Sequence, residues 1–438
     1  MGRLMKDSGI PYIGSIPKNW KLLPMGLFFY ENKKANRDFL SANALQFKYG
    51  EIIQKPKKES LTLGDIELLK KYTLVKPNDI VINGLNLNYD FNSMRVARVR
   101  EEGIITSAYI VIRARDSHNT QFHNYLLKAL DNQKVFHGMG EGIRLTLKFP
   151  EIKEMLLPYP LPAEQQKIAD FLDRKCREVD ELIALEEKMI EELKAYKQSV
   201  ITETITKGLN PDVPMKDSGI EWIGQIPEHW TTLRLKNVGS LYGGLTGKSG
   251  DDFNVEDGDS YALFIPFTNI WNNTEIDPSQ LYKVKIEKGE MQNCVKQGDI
   301  LFLMSSEDVN GVGKPSLCNI DVKPLYLNSF CRGMHIYNDI INSKYLNYFM
   351  MCDAGNTFCR LQSNGFIRIN LRQDKLSQCP VLRPPLTEQK EITSLLDKQC
   401  VHINSIIGIK QSKIAELQDY KKSIIYEYAT GKKEVPTL

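Results

Sequence analysis

No stretch of this 438-residue chain approaches the roughly 20 consecutive apolar residues that a membrane helix needs. The opening MGRLMKDSGIPYIG has no apolar core of the kind that marks a secretory signal. Both absences lead to the expectation of a cytoplasmic protein. The cysteines (Cys176, Cys294, Cys318, Cys331, Cys352, Cys359, Cys379 and Cys400) form no CxxC pair and sit beside no histidine at zinc-ligand spacing. That predicts reduced, mostly buried thiols and no metal site.

Catalytic signatures are missing as well. The run GGLTGKS (243–249) falls short of a phosphate loop because the leading glycine would have to stand at Tyr242. Gly138, Gly140 and Gly142 keep a GxGxG spacing rather than the GxGxxG of a dinucleotide fingerprint. There is no Asn-Pro-Pro-aromatic run of the kind adenine methyltransferases carry, and no cluster of carboxylates with a neighbouring lysine. The six histidines are scattered. The chain is therefore expected to be a reader or an adaptor without catalytic residues. An enzyme with an unrecognised site is the remaining alternative.

Charge is spread unevenly along the chain. Residues 1–160 hold 24 Lys/Arg against 16 Asp/Glu, an electrostatic footprint suited to a polyanion. Residues 215–383 hold 17 against 19, so a nucleic-acid surface there requires a local basic patch.

The chain is written twice. MKDSGIPYIGSIPKNW (5–20) returns as MKDSGIEWIGQIPEHW (215–230), and VKPNDIVI (75–82) returns more loosely as VKQGDILF (295–302). GIRLTLKFPEIKEMLLPYPLP (142–162) is matched by FIRINLRQDKLSQCPVLRPPL (366–386). The closing segments 162–208 and 386–432 align without gaps at an offset of 224. The opening repeat has an offset of 210, so the second interior is 14 residues longer. Similar ends and dissimilar middles predict one frame holding two interiors that have diverged.

Each closing segment reads as one long helix. Pro162 with Glu164-Gln165, and Pro385 with Glu388-Gln389, mark the N-termini, and no proline interrupts 163–210 or 386–435. Apolar residues recur at spacings of three and four: Leu172, Val179, Ile183, Ile190, Leu193 and Val200, then Leu396, Ile403, Ile407, Ile414, Leu417 and Ile424. A long helix with one apolar stripe must pair. The matched seams favour antiparallel pairing of the two helices with each other, with pseudo-two-fold internal symmetry and Glu186 near Lys410. Separate packing of each helix on its own domain is the alternative.

The interiors read as mixed α/β. Strands are expected over 74–82, 94–99 and 103–113, and short helices over 122–130 and 344–351, with Tyr125 and Tyr345 at equivalent places. The Ile-Pro and Trp residues near each domain start read as packing devices.

The diverged stretches hold groups able to read bases or hold phosphates. The stretch 83–100 offers Asn83, Asn86, Asn88, Tyr89, Arg95, Arg98 and Arg100, and the stretch 304–316 offers Ser305, Ser306, Asn310 and Lys314. Asn pairs bidentately with adenine and Arg with guanine in the major groove. The loops 138–145 and 360–369, with Arg144, Arg360, Asn364 and Arg368, suit phosphate positioning. For each of these residues a merely solvated loop is the alternative.

The openings at Tyr12–Trp20 and Trp222–Trp230, together with the Glu-Gln-x-x-Ile segments that start the helices, resemble the specificity subunit of type I restriction-modification systems. The resemblance covers nearly the whole chain, and the tandem arrangement carries it more than any single motif. It implies two target-recognition domains (1–160 and 211–383) and two conserved coiled-coil helices (161–210 and 384–438). Each domain would read half of a bipartite, asymmetric DNA target, and the helices would space the domains and bind two modification (methyltransferase) subunits. This chain would hold no cofactor. The complex would use S-adenosylmethionine, and ATP and Mg2+ where restriction subunits join. The alternative is a non-catalytic coiled-coil adaptor for protein partners.

Overall fold

A computed structural model describes residues 3–48, 50–58, 60–88, 94–115, 119–139, 145–255 and 260–436. The chain packs as two compact units, residues 1–187 with 410–438, and residues 188–409. Each long helix is shared between them. Its first part belongs with the globular domain that precedes it, and its last part with the other globular domain.

In the first unit a four-stranded antiparallel sheet runs in the order Phe29–Glu31, Ile110–Ala114, Ile80–Ile82, Val96–Arg98. Side chains alternate across a strand, and here both faces are covered. Ile80, Ile82, Val96, Ile110 and Ile112 join a core with Trp20, Phe29, Phe122 and Leu126. Val81, Ala97 and Val111 join a second with Leu45, Val75 and Ile105. The apolar run Ile80–Ile82 is thus a strand buried on both sides. The strands expected over 74–82 and 103–113 are each broken in two, into Thr73–Val75 and Ile80–Ile82, and into Gly103–Ile105 and Ile110–Ala114. The first break is a turn with Asn78 at a φ of 75°.

The second unit repeats that sheet as Gly239–Gly243, Cys331–Ile336, Ile300–Leu303, Pro315–Leu317, all antiparallel. Its longer interior forms a three-stranded sheet absent from the described residues of the first unit: Tyr282–Lys285, Tyr261–Ile265 and Leu325–Leu327. Each unit also has an opening hairpin, Met5–Asp7 with Ser15–Pro17 and Met215–Asp217 with Gln225–Pro227, in identical register.

The long helices span Pro162–Lys207 and Leu386–Ala429. Each buries three stretches in turn. Ile168, Leu172 and Cys176 enter the core of the first unit, as Ile392, Leu396 and Cys400 enter that of the second. The far ends enter the opposite cores, Ile201 and Ile205 in the second unit, Ile425 and Ala429 in the first. Between them the helices pack on each other. All twelve seam residues are buried or half-buried. Within the first unit Phe171 meets Tyr428 and Asp180 meets Lys421, and within the second Lys197 meets Asn404, so in each unit the segments run antiparallel. Glu186 pairs with Lys410 at 2.9 Å and with Lys413 at 2.6 Å.

Both helices end against a tryptophan. Gly431, at a φ of 75°, would bring a Cβ within 2.8 Å of the Trp20 ring and 2.6 Å of Pro17. At Gly208, with a φ of 77°, a Cβ would stand 3.2 Å from the Trp230 ring, a tight contact. Glycine alone supplies the left-handed turn and the contact together.

Candidate nucleic-acid interface

The tryptophans are also tied to the start of a helix, so each is held from both sides. Trp20 Nε1 donates to Glu164 at 3.1 Å, and Trp230 Nε1 donates to Glu388 at 3.1 Å. The adjacent glutamines are buried and donate to backbone carbonyls, Gln165 to Pro160 at 2.9 Å and Gln389 to Pro384 at 2.8 Å. The sequence marks Glu-Gln only as a helix start. Its second role follows from its co-repetition with the tryptophan.

A third lock joins the short helices to the long ones. Tyr125 donates to Asp173 at 2.6 Å beside Cys176, and Tyr348 donates to Asp397 at 2.9 Å beside Cys400. Burial pushes both phenols well above their usual titration range. The expected equivalence of Tyr125 with Tyr345 is therefore off by one helical turn. Asn119 and Asn342 cap the two helices, which matches Tyr345 to Phe122 and Tyr348 to Tyr125. Tyr345 instead donates to the Ile205 carbonyl deep in the second core.

These locks seat the sheet whose edge carries the diverged loops. In the first unit Leu87 N–H donates to Leu145 and Leu147 N–H donates to Gly84. In the second Leu371 N–H donates to Met304, and Ser305-Ser306 pair with Asn370 and Ile369. Two stretches far apart in sequence thus lie side by side in each unit, the one proposed to read bases and the one proposed to hold phosphates.

Not every predicted residue is presented there. Arg95 is 2% exposed, and its guanidinium donates to the Leu85 carbonyl at 2.7 Å. It braces the loop from beneath rather than facing a ligand. Ser305 and Ser306 are buried in the short ladder, where Ser305 accepts from Arg368 at 2.8 Å and Ser306 from the Asp308 N–H at 3.0 Å. Lys314 donates to the Trp271 carbonyl and lies over that indole, and its desolvation lowers its pKa. These four serve the loops' own architecture. Asn83 is half-buried and caps the Leu85 N–H, Asn88 is half-buried, and Arg98 is half-buried beside Asn78 and Gln121. Tyr89 and Arg144 lie outside the described residues.

The exposed members are Asn86, Asn310, Arg360, Asn364 and Arg368, with Arg100 salt-bridged to Glu51. Arg368 covers the Phe330 ring at 5.0 Å. Phe366 and Ile367, at the tip between Asn364 and Arg368, are fully exposed, a feature their apolar character gave no reason to expect.

Immediately before the strands Ile80–Ile82 and Ile300–Leu303 a buried aspartate is kept with different partners. Asp79 holds Arg113 through two bonds of 2.7 Å, which raises the arginine's pKa. At the matching place Asp299 accepts from Tyr242 at 2.6 Å and contacts His335 at 2.9 Å. Seven cysteines are buried and free, and Cys294 is free and exposed. Among the described residues no three His, Cys, Asp or Glu converge as a metal site, and no helix is long and apolar enough to cross a membrane.

The sequence model of the type I restriction modification DNA specificity domain matches residues 24–195 and again 227–419. The chain belongs to this family. The two specificity-domain matches each cover one of the four-stranded sheets and much of a long helix. A type I restriction enzyme MjaVIII specificity subunit from Methanocaldococcus jannaschii is 23% identical over 97% of this chain and 95% of its own length. The EcoBI specificity subunit of Escherichia coli is 25% identical over 64% of this chain and 59% of its own. A solved chain, from a study of complex assembly and conformational transition of the type I R-M system, superposes with a TM-score of 0.67 at 15% identity. That match covers 95% of this chain and 99% of the other, so the likeness of fold extends over both units. The specificity-subunit role is favoured over the adaptor.

Proposed function

We propose that this type I specificity subunit reads a bipartite DNA target, one half with each unit, and performs no chemistry itself. The observation that carries this reading is the repetition of the main seating contacts, Trp20–Glu164 as Trp230–Glu388 and Tyr125–Asp173 as Tyr348–Asp397, under loops that differ. A duplicated seat with unlike loops suits two readers of unlike sequences. Arg and Asn at the exposed edge offer bidentate donors for base edges, and arginines offer phosphate contacts.

In this reading the helices act as a ruler, because a helix extends about 1.5 Å per residue and its length sets the spacer between half-sites. Two methyltransferase subunits dock on the chain in the cytoplasm and bring S-adenosylmethionine. Restriction subunits add ATP- and Mg2+-dependent cleavage. The test is selection of bound duplexes from a random library by the chain together with the methyltransferase that co-purifies with it. The expected result is one gapped motif, with affinity falling steeply as salt rises. Replacing Arg360, Asn364 and Arg368 by alanine should relax one half of that motif only. The absence of salt-dependent DNA binding would favour the adaptor.

A further inference from the structure

The middle of the helix pair carries a charge arrangement that the DNA-reading role does not require. Glu186 has an 8% exposed side chain held by Lys410 and Lys413, both from the opposite helix. Residue numbers 224 apart are counterparts in the two helices, so Glu186 is the counterpart of the residue it binds, Lys410. In an antiparallel pair, counterparts meet only at the centre. At that layer, pairing between two copies of the same helix would set a residue against itself.

The consequences of such like-with-like pairing can be read off position by position. Two first helices would bring Glu186 against Glu186, with Met189 where Lys413 now stands. Two second helices would bring Lys410 and Lys413 against the same lysines with no acid between them. The charged contacts that flank it do not oppose either arrangement. Asp180–Lys421 and its counterpart contact Asn404–Lys197 would become Asp180–Lys197 twice in one case and Asn404–Lys421 twice in the other. The apolar seams match layer for layer and do not discriminate either. Among these charged contacts, those at the centre are the ones that oppose like-with-like pairing, and the Glu186 carboxylate they meet on is largely shielded from water.

We propose that Glu186, Lys410 and Lys413 form a partner-selecting layer. It directs the first long helix to the second and rejects like-with-like pairing with another copy of this chain. Polar groups at a single layer set partner and register in coiled coils by this physics. The outcome is that one chain presents two different domains. Like-with-like pairing would instead bring two identical domains onto one helix pair. This last consequence rests on the two-reader function, but the pairing rule does not, and its test involves no DNA.

The experiment uses the full chain in three forms: K410E/K413E, with an all-acidic layer; E186K, with an all-basic layer; and E186K/K410E/K413E, with the charges reversed. Mass is read by light scattering and stability by melting, with the wild-type chain as reference. Each of the first two forms alone should melt below wild type. Mixed together, they should shift to complexes of two chains, since each then finds complementary charge only in the other. The reversed form should regain the wild-type mass and melting temperature. Mixed variants that stay at the wild-type mass overturn the proposal whatever their melting temperatures. So does a reversed form that is not restored, including one that fails to fold, because complementary charge would then not be what the layer requires.

Discussion

The two units differ in their interiors far more than in their edges. In the first, a buried aspartate holds an arginine, and the outer face of the sheet is covered by Leu45, Val75 and Ile105. In the second, the matching aspartate holds a tyrosine and a histidine, and an added three-stranded sheet covers that side. Yet the tryptophan between two helix ends, the glutamine beneath it and the tyrosine–aspartate lock recur with distances within a few tenths of an ångström. What the copies share attaches a domain to the helices. What they do not share lies in the sheets' interiors and in the loops proposed to meet DNA. The +8 balance of residues 1–160 against the slight acidity of residues 215–383 follows the same division.

If the seats are equivalent, equal cuts should cost equally. Trp20→Ala and Trp230→Ala each remove a ring that is at most 1% exposed and should each destabilise by about 3–5 kcal/mol. Denaturant unfolding monitored unit by unit would measure it, and a loss confined to one variant would break the equivalence.

If the interiors differ as described, equal cuts at the two buried aspartates should cost unequally. Asp79→Asn strands a largely buried guanidinium and should cost about 3 kcal/mol. Asp299→Asn faces a phenol and an imidazole, both able to stay neutral, and should cost about 1–2 kcal/mol. Similar losses would mean that the interiors differ only in appearance.

The smallest effect concerns acid. The ammonium groups of Lys413 and Lys410 hold the Glu186 carboxyl below its ordinary value. Its contribution is therefore complete above the ordinary carboxylate range and is lost as the pH falls through the depressed value. Melting curves of Glu186→Gln should lie below those of the wild type at neutral pH and converge with them in acid. A constant gap across that range would show that the carboxylate's charge is not what matters.

Much of this arrangement was legible in the residues. The helices begin within one residue of where proline and Glu-Gln place them, and the repeat offsets already locate the insertion. Glu186 beside Lys410 followed from counting layers. The burial of Arg95, Ser305, Ser306 and Lys314 was not legible, because their partners Leu85, Arg368, Asp308 and Trp271 include groups reached only through tertiary packing. A polar residue in a Gly- and Asn-rich stretch reads as solvated until a backbone carbonyl or hydroxyl claims it. Tyr345 pairs wrongly with Tyr125 on sequence alone for a simpler reason: the second helix holds two tyrosines, and only the asparagine caps set the correct frame.

The central claim is that one chain carries two independent readers. Its most direct test is a genome-wide map of methylated adenines in host cells with this chain and without it. The account predicts that deletion erases one bipartite, gapped motif and nothing else. It also predicts that exchanging residues 304–316 together with 360–369 for those of a relative changes one half of the motif and leaves the other intact. An unchanged map in cells that express the partner methyltransferase, or a change in both halves after the exchange, would contradict it.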